Sequence, residues 1–219
     1  MIEIFSEGTN EAAEEVFENL PRIPFLPIQY KFNSGLKVRL RNLNSKAELK
    51  TIHDLFCSAA NEGKGYGIDE FLNLAYFTEW YCPGNYIAVA EKLGSNNVVG
   101  AMLLQPHWCV RTRAGKISDS AIIIHPNHRG NKVGKEFLHL TLQIAKELGF
   151  TATLSDTLMT NLPMIAKILP ELGYISIGIF PRSTFVKKHG WMDSVVIYRP
   201  FDTLQNLFDS QNVDKLAKL

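Results

Sequence analysis

The chain has 219 residues, 46% of them hydrophobic and 21% charged, a composition that excludes a disordered polymer and leaves ample sequence for a buried core. Lys plus Arg (23) balance Asp plus Glu (22) to a formal net charge of +1. No broad basic face for nucleic acid follows from that balance, so any anion must be held by local geometry. Cys57, Cys82 and Cys109 are scattered without a CxxC spacing and predict reduced thiols in an intracellular protein, with no disulfide framework and no metal site.

Residues 1–10 carry Glu3 and Glu7 and no basic segment of the kind that opens a secretory signal, and no run is long enough to span a membrane. A cytoplasmic protein without membrane partners is expected. Residues 11–20 place Ala12, Val16 and Leu20 at helical spacing, and Pro21, Pro24 and Pro27 then break regular structure, so residues 1–33 read as an N-terminal arm. A single α/β domain is expected over residues 34–200, followed by a helical extension over 201–219. Its last residues, Ala217-Lys218-Leu219, are a variant of the Ser-Lys-Leu peroxisomal address, which makes the peroxisome the alternative location.

Within the domain, Leu36, Val38 and Leu40 alternate with Lys37, Arg39 and Arg41, predicting a strand over 36–40. Ser45 followed by Glu48 is a capping box ahead of the stripe Leu49, Ile52, Leu55 and Phe56. Gly63, Gly65 and Gly67 interrupt that helix, and Asp69 is expected to open a second, short one running through Trp80. Residues 86–90 and 98–104 read as a hairpin around Gly94-Ser95-Asn96-Asn97. Residues 120–124 are a nearly continuous apolar run ending at His125-Pro126, as in a buried strand. A helix is expected over 133–148, stopped by Gly149, then a strand over 151–154. This strand–loop–helix–strand unit predicts a parallel pair with a right-handed crossover. A helix over 162–169 and strands over 174–179 and 194–198 complete an α/β sandwich.

The loop Pro126-Asn127-His128-Arg129-Gly130-Asn131-Lys132-Val133-Gly134 leaves a strand and opens a helix, so its unpaired N–H groups and the helix dipole favour an anion. Gly130 and Gly134 permit close approach, and Arg129, Lys132 and Lys135 add charge. A Walker A loop is excluded because three rather than four residues separate Gly130 from Gly134-Lys135, and Glu136 stands where a hydroxyl is required. The dinucleotide fingerprint lacks two of its glycines, although Asp156 follows the next strand as a ribose-binding acid would.

The same loop resembles the pyrophosphate loop of the GNAT acetyltransferase superfamily. Asn161, opening a helix that ends in Leu172-Gly173-Tyr174, resembles that family's next motif. Further likeness to the fungal azetidine-2-carboxylate (proline-analogue) acetyltransferase branch lies in Ser34-Gly35-Leu36-Lys37-Val38, Leu148-Gly149-Phe150, Thr160-Asn161, Gly178, Pro181 and Gly190. The resemblance implies a GNAT-type mixed twisted sheet flanked by helices and acetyl-CoA as acyl donor. It implies a pyrophosphate on Arg129, Gly130, Asn131, Lys132, Val133, Gly134 and Lys135, a pantetheine arm along Ile122, Ile123 and Ile124, and Asn161 as a further cofactor contact. Lys132 stands where the family usually has glycine, so ordinary backbone dihedrals are expected there. His125 and Ser155 replace two substrate-site asparagines of the proline-analogue branch, and no tyrosine occupies Lys167-Ile168-Leu169-Pro170, where many members carry the acid for the leaving thiolate.

Acetyl transfer needs a positioned neutral amine and a route for its proton. His125 is the expected base or positioning group, because it ends the strand beside the pantetheine and an imidazole ordinarily titrates near neutral pH; the alternative is a hydrogen bond to the turn before Pro126. Ser155 is the second catalytic candidate, and Asp156 beside it could recognise an amine. His107, Trp108 and Gly65-Tyr66-Gly67 are expected to line the acceptor pocket, with Tyr174 in the core. The expected function is acetyl transfer to an amine of a small amino acid or other small metabolite, with a homodimer left open. A protein or peptide acceptor is one alternative, and a non-catalytic CoA-binding sensor the other.

Overall fold

The computed structural model describes residues 17, 19–95, 97–107 and 117–201. Most of the expected N-terminal helix, Asn96, Trp108 and the extension beyond Phe201 with its C-terminal tripeptide lie outside the described residues.

Eight strands form one sheet in the order β1-β2-β3-β4-β5-β6-β8-β7. They are β1 (Ile28–Lys31), β2 (Lys37–Asn42), β3 (Tyr86–Lys92), β4 (Val98–Pro106), β5 (Ile117–Ile124), β6 (Ala152–Leu158), β7 (Ile175–Val186) and β8 (Gly190–Pro200). The sheet therefore begins inside the segment expected to be an arm, with Ile28 opposite Leu40 on β2. The β5–β6 pair is parallel, as the strand–loop–helix–strand pattern requires, and the remaining pairs are antiparallel.

Strand alternation sends side chains to two helical layers. Ala88, Ala90, Met102 and Leu104 pack with Val133, Phe137, Leu140 and Ile144 of α3 (Val133–Glu147). Their neighbours Ile87, Val89, Ala101 and Leu103 face the opposite layer, built from α1 (Lys46–Glu62) and α2 (Leu74–Tyr81). Burying one side chain of the size of Phe56, Phe77 or Phe137, each 0% exposed, contributes about 1.5–3 kcal/mol. A third cluster joins Leu138 and Leu142 of α3 to Leu169, Leu172 and Tyr174 and to Val195 and Ile197 of β8, which confirms Tyr174 as core.

The ends of α1 follow its sequence. Ser45 Oγ accepts from Glu48 N at 3.2 Å, the Glu48 carboxylate accepts from Asn44 N, and Gly63 closes the helix at φ 71°. The second helix departs from expectation: it starts at Leu74, not Asp69, because Asn73 is the residue whose side chain accepts from a first-turn amide, Tyr76 N at 2.8 Å. Residues 68–71 instead form a turn fastened to the β7–β8 hairpin by Ile68 N donating to Phe185 O. The expected helix over 162–169 is a π-helical turn, Met164–Ile168, running into the short α4 (Leu169–Glu171).

Candidate active site

The parallel pair that joins the two antiparallel parts of the sheet is short. β5 and β6 share only the register positions Ile117↔Ala152 and Ser118↔Thr153, after which the strands diverge. On β5, His125 N donates to Val99 O at 2.8 Å, so the odd-numbered residues turn their backbone groups toward β4 and the even-numbered ones toward the gap. Ser120 N donates to Ser155 Oγ across that gap, Ile122 O accepts from Tyr66 OH at 2.7 Å, and Ile124 O accepts from Arg129 Nε at 3.0 Å. The exposed edge is therefore carried by Ile122 and Ile124. Ile123, expected to share it, lines the cleft with its side chain while its backbone belongs to the β4 ladder.

The gap opens into a cleft of about 1130 Å³. One end is the loop after β5. A 3-10 turn, Pro126–His128, leads to three consecutive residues of positive φ: Gly130 (87°), Asn131 (47°) and Lys132 (63°). Lys132 thus adopts the left-handed conformation, contrary to the expectation of ordinary dihedrals. The turn into α3 imposes that geometry whatever the side chain, at roughly 1–2 kcal/mol for a residue with a Cβ. No side chain caps α3, and with Val133 N donating to Gly130 O, the amides of Gly134 and Lys135 are left for an external acceptor. A Cβ on Gly130 would meet no protein atom within 4 Å, so the space in front of this glycine is open to a ligand.

Two of the three loop cations are already paired. Arg129 Nη1 binds Glu62 at 2.9 Å, and Lys135 Nζ binds Glu171. Arg129 Nη2, however, is buried in the cleft wall without a partner, a donor fit for an anionic group. Asn161 lies in the same wall, with its Nδ2 3.8 Å from where a Cβ on Gly65 would be, so the motif asparagine and the glycine segment face each other across the cleft.

The other end is acidic. Glu70, Asp119 and Asp156 line it, with Tyr66, Tyr76 and Tyr81. Glu70 accepts from Gly67 N, and its second oxygen has no hydrogen-bond partner among the described residues. Burial pushes its carboxyl up to about 7 against the Gly67 hydrogen bond, and the charges of Asp156 and Asp69 push the same way. Burial likewise raises Asp119, opposed by the hydrogen bond from Ser155 and the nearby His107 and reinforced by Asp156. The Tyr66 phenol is raised by burial and by Glu70, so it stays protonated and donates. Gly67 holds this wall together: a Cβ there would lie 1.9 Å from Thr184 Oγ1 of the β7–β8 hairpin.

The expected catalytic pair is not brought together. Ser155 reaches the cleft and donates to Asp119 Oδ1 at 2.7 Å. His125 is not among the residues lining the cleft; its Nδ1 accepts from Asn127 N at 3.2 Å and closes the turn before the loop. Of the expected pocket residues, Gly65 and Tyr66 line the cleft, whereas Gly67 and His107 are not among its lining residues.

The family model for the acetyltransferase (GNAT) family matches residues 49–167, more than half of the chain. The chain belongs to the GNAT acetyltransferase family. Solved structures agree on the fold. A GCN5-related N-acetyltransferase from Kribbella flavida is 21% identical, covers 75% of this chain and 98% of its own, and superposes with a TM-score of 0.62. A phosphinothricin acetyltransferase from Sinorhizobium meliloti in complex with acetyl-CoA is 22% identical over 75% of this chain and 88% of its own, with a TM-score of 0.60. A spermidine N-acetyltransferase from Vibrio cholerae in complex with CoA and spermine is 19% identical over 74% and 95%, with a TM-score of 0.56. No curated protein matches the chain.

As a GNAT acetyltransferase the protein uses acetyl-CoA, and the residues present fit it. The uncapped α3 amides, the open space at Gly130 and the unpartnered Arg129 Nη2 suit phosphate, while the N–H groups of Ile122 and Ile124, whose carbonyls are taken by Tyr66 and Arg129, suit the carbonyls of an amide-bearing arm. Sequence reasoning missed Glu70 and Asp119. Their signals were an acid three residues after Gly67, in a segment already suspected of lining the pocket, and a lone charge inside a strand of otherwise uncharged residues.

Proposed function

We propose that this GNAT acetyltransferase acetylates a small-molecule amine, with Glu70 taking the proton from the acceptor nitrogen. The observation that carries the reading is a carboxyl raised to about 7 in the cleft wall, one loop away from the edge of β5. A base works best when its pKa lies near the working pH, and most carboxylates are far too weak to deprotonate an ammonium. Acetyl-CoA supplies the activated acetyl group when bound along β5. The chain holds the amine against the acid end, moves its proton to Glu70 as the nitrogen displaces the thiolate, and stabilises the arm through Ile122 and Ile124. Ser155 is a positioning residue in this account, and His125 serves the turn.

The motif likeness to the azetidine-2-carboxylate branch favours a second reading, a small cyclic amino acid as acceptor; Ser155, at one of that branch's asparagine positions, is here committed to Asp119. A homodimer and a cytoplasmic location complete the proposal. Ile175, Ile177 and Ile179, exposed on the edge strand β7, support a self-associating edge. No helix of the described residues is long and apolar enough to cross a membrane.

Thiol release from acetyl-CoA over pools of small amines and peptides tests the reading. Steady turnover with a small amine is expected. Turnover with peptides alone supports the protein-acceptor alternative, and tight CoA binding without turnover supports the sensor.

A further inference from the structure

We infer that the acceptor is a primary amine bearing a second positive charge, with Asp119 and Asp156 receiving that charge while Glu70 serves the nitrogen that is acetylated. This rests on the reading of Glu70 given above.

The first support is the sorting of charge along the cleft. Among the described lining residues, the Lys and Arg side chains are Lys64 and Arg129, and both pair with Glu62, at 2.6 and 2.9 Å. Nothing basic among these liners offsets Glu70, Asp119 and Asp156. One acceptor nitrogen satisfies one carboxylate, so two acids remain. Ser155 orients Asp119 through a neutral hydroxyl and does not neutralise it. Burial is the main cause of the raised Asp119 carboxyl, the charge of Asp156 adds to it, and His107, outside the lining, opposes it.

The second support is independent of charge. Ser194 is 0% exposed, its Oγ has no hydrogen-bond partner, and it lines the cleft. A buried hydroxyl without a partner is uncommon and points to an occupant. Register places it: Leu158 lies opposite Ser194, and Asp156 is two residues from Leu158, so Asp156 and Ser194 share one face of the sheet as diagonal neighbours, about 7–8 Å apart. Asp119 of β5 lines the same cleft as Asp156 and Ser194. Thr160 Oγ1, also buried without a partner, belongs to the same wall.

An ammonium brings three donors to this set of acceptors. A carboxylate, by contrast, meets only like charge, which disfavours amino-acid acceptors. The aromatic rings of Tyr76, Trp80 and Tyr81 line the remaining wall, Trp80 being 56% exposed, and suit an alkyl stem with a cation at its end.

Butane-1,4-diamine, butylamine and 4-aminobutanoate present the three end groups on one chain length. We expect kcat/KM for the diamine to exceed that for butylamine by about 10- to 150-fold, the range for a charge-assisted hydrogen bond, with 4-aminobutanoate no better than butylamine. Asp156→Asn and Asp119→Asn should each cut the diamine-to-butylamine ratio by about tenfold. Equal efficiency with diamine and butylamine, or preference for 4-aminobutanoate, overturns the inference while leaving acetyl transfer to small amines intact. Calorimetry on the protein with CoA separates the opposite case. Tighter binding of diamine than of butylamine without any transfer upholds the second-charge site and refutes Glu70 as the proton acceptor. Neither binding nor transfer overturns both.

Discussion

The two ends of the cleft are built by opposite means. The loop end is one contiguous stretch, Arg129 to Lys135, whose function resides in backbone: positive φ at Gly130, Asn131 and Lys132, an uncapped helix, and side-chain cations mostly paired with acids. The acid end is assembled from distant segments, with Glu70 from the turn between α1 and α2, Asp119 from β5, Asp156 from β6 and Ser194 from β8, and its function resides in side chains. Backbone geometry tolerates exchange of side chains, whereas a side-chain site changes with every substitution. The comparison teaches that one fold can keep its cofactor while its acceptor is rewritten.

Breaking the acid end should cost most. Glu70→Gln removes the proton acceptor while keeping shape, and kcat should fall by about 10²–10⁴-fold with CoA affinity little changed. The same substitution should stabilise the fold at alkaline pH. Its folded value of about 7 lies above the ordinary 4.5, so Glu70 favours folding below that ordinary value and loses the contribution as pH rises through 7. Melting temperature at about pH 4 should therefore match the parent, and at about pH 8 exceed it.

Breaking the loop end should act on binding instead. Gly130→Val, with φ 87° and its Cβ in the space open to phosphate, should weaken CoA by about 10- to 150-fold in calorimetry. An unchanged affinity in a folded variant would remove the loop from the site. Gly67→Ala probes the joint between the ends and the hairpin. Its Cβ would press on Thr184 Oγ1, and a loss of about 1–3 kcal/mol is expected in urea unfolding, with reduced kcat as Glu70 moves. The smallest effect sharpens the backbone argument. Lys132→Gly should relieve the left-handed strain and stabilise the protein by about 0.5–1 kcal/mol, without loss of CoA binding.

How legible each end was in the sequence follows from the same contrast. The loop could be read because a strand, a glycine turn and an amphipathic helix are consecutive and each has a local signature. The Ser45 cap and the core stripe of α1 were equally local. Even so, the positive φ of Lys132 escaped, since a lysine gives no sign that the turn forces it. The acid end was hidden because register, not spacing, brings its members together: nothing in the order of residues says that Asp119 and Asp156 line one cleft with Ser194, or that a turn lays Glu70 over them. His125 attracted attention by sitting at a strand end, yet its backbone belongs to the β4 ladder and its ring to the turn.

The most direct measurement is the pH dependence of kcat/KM for the parent, Glu70→Gln and His125→Ala with one accepted amine. The groups that interact with Glu70 are Gly67 N, Tyr66, Tyr81, Asp69 and Asp156, and burial outweighs the one hydrogen bond that opposes it. Because Glu70 accepts a proton only when ionised, activity should rise with pH through a midpoint of about 7 in the parent. That limb should persist in His125→Ala and vanish in Glu70→Gln. A Glu70→Gln enzyme that keeps the limb and its kcat, beside a His125→Ala enzyme that loses both, would contradict the account.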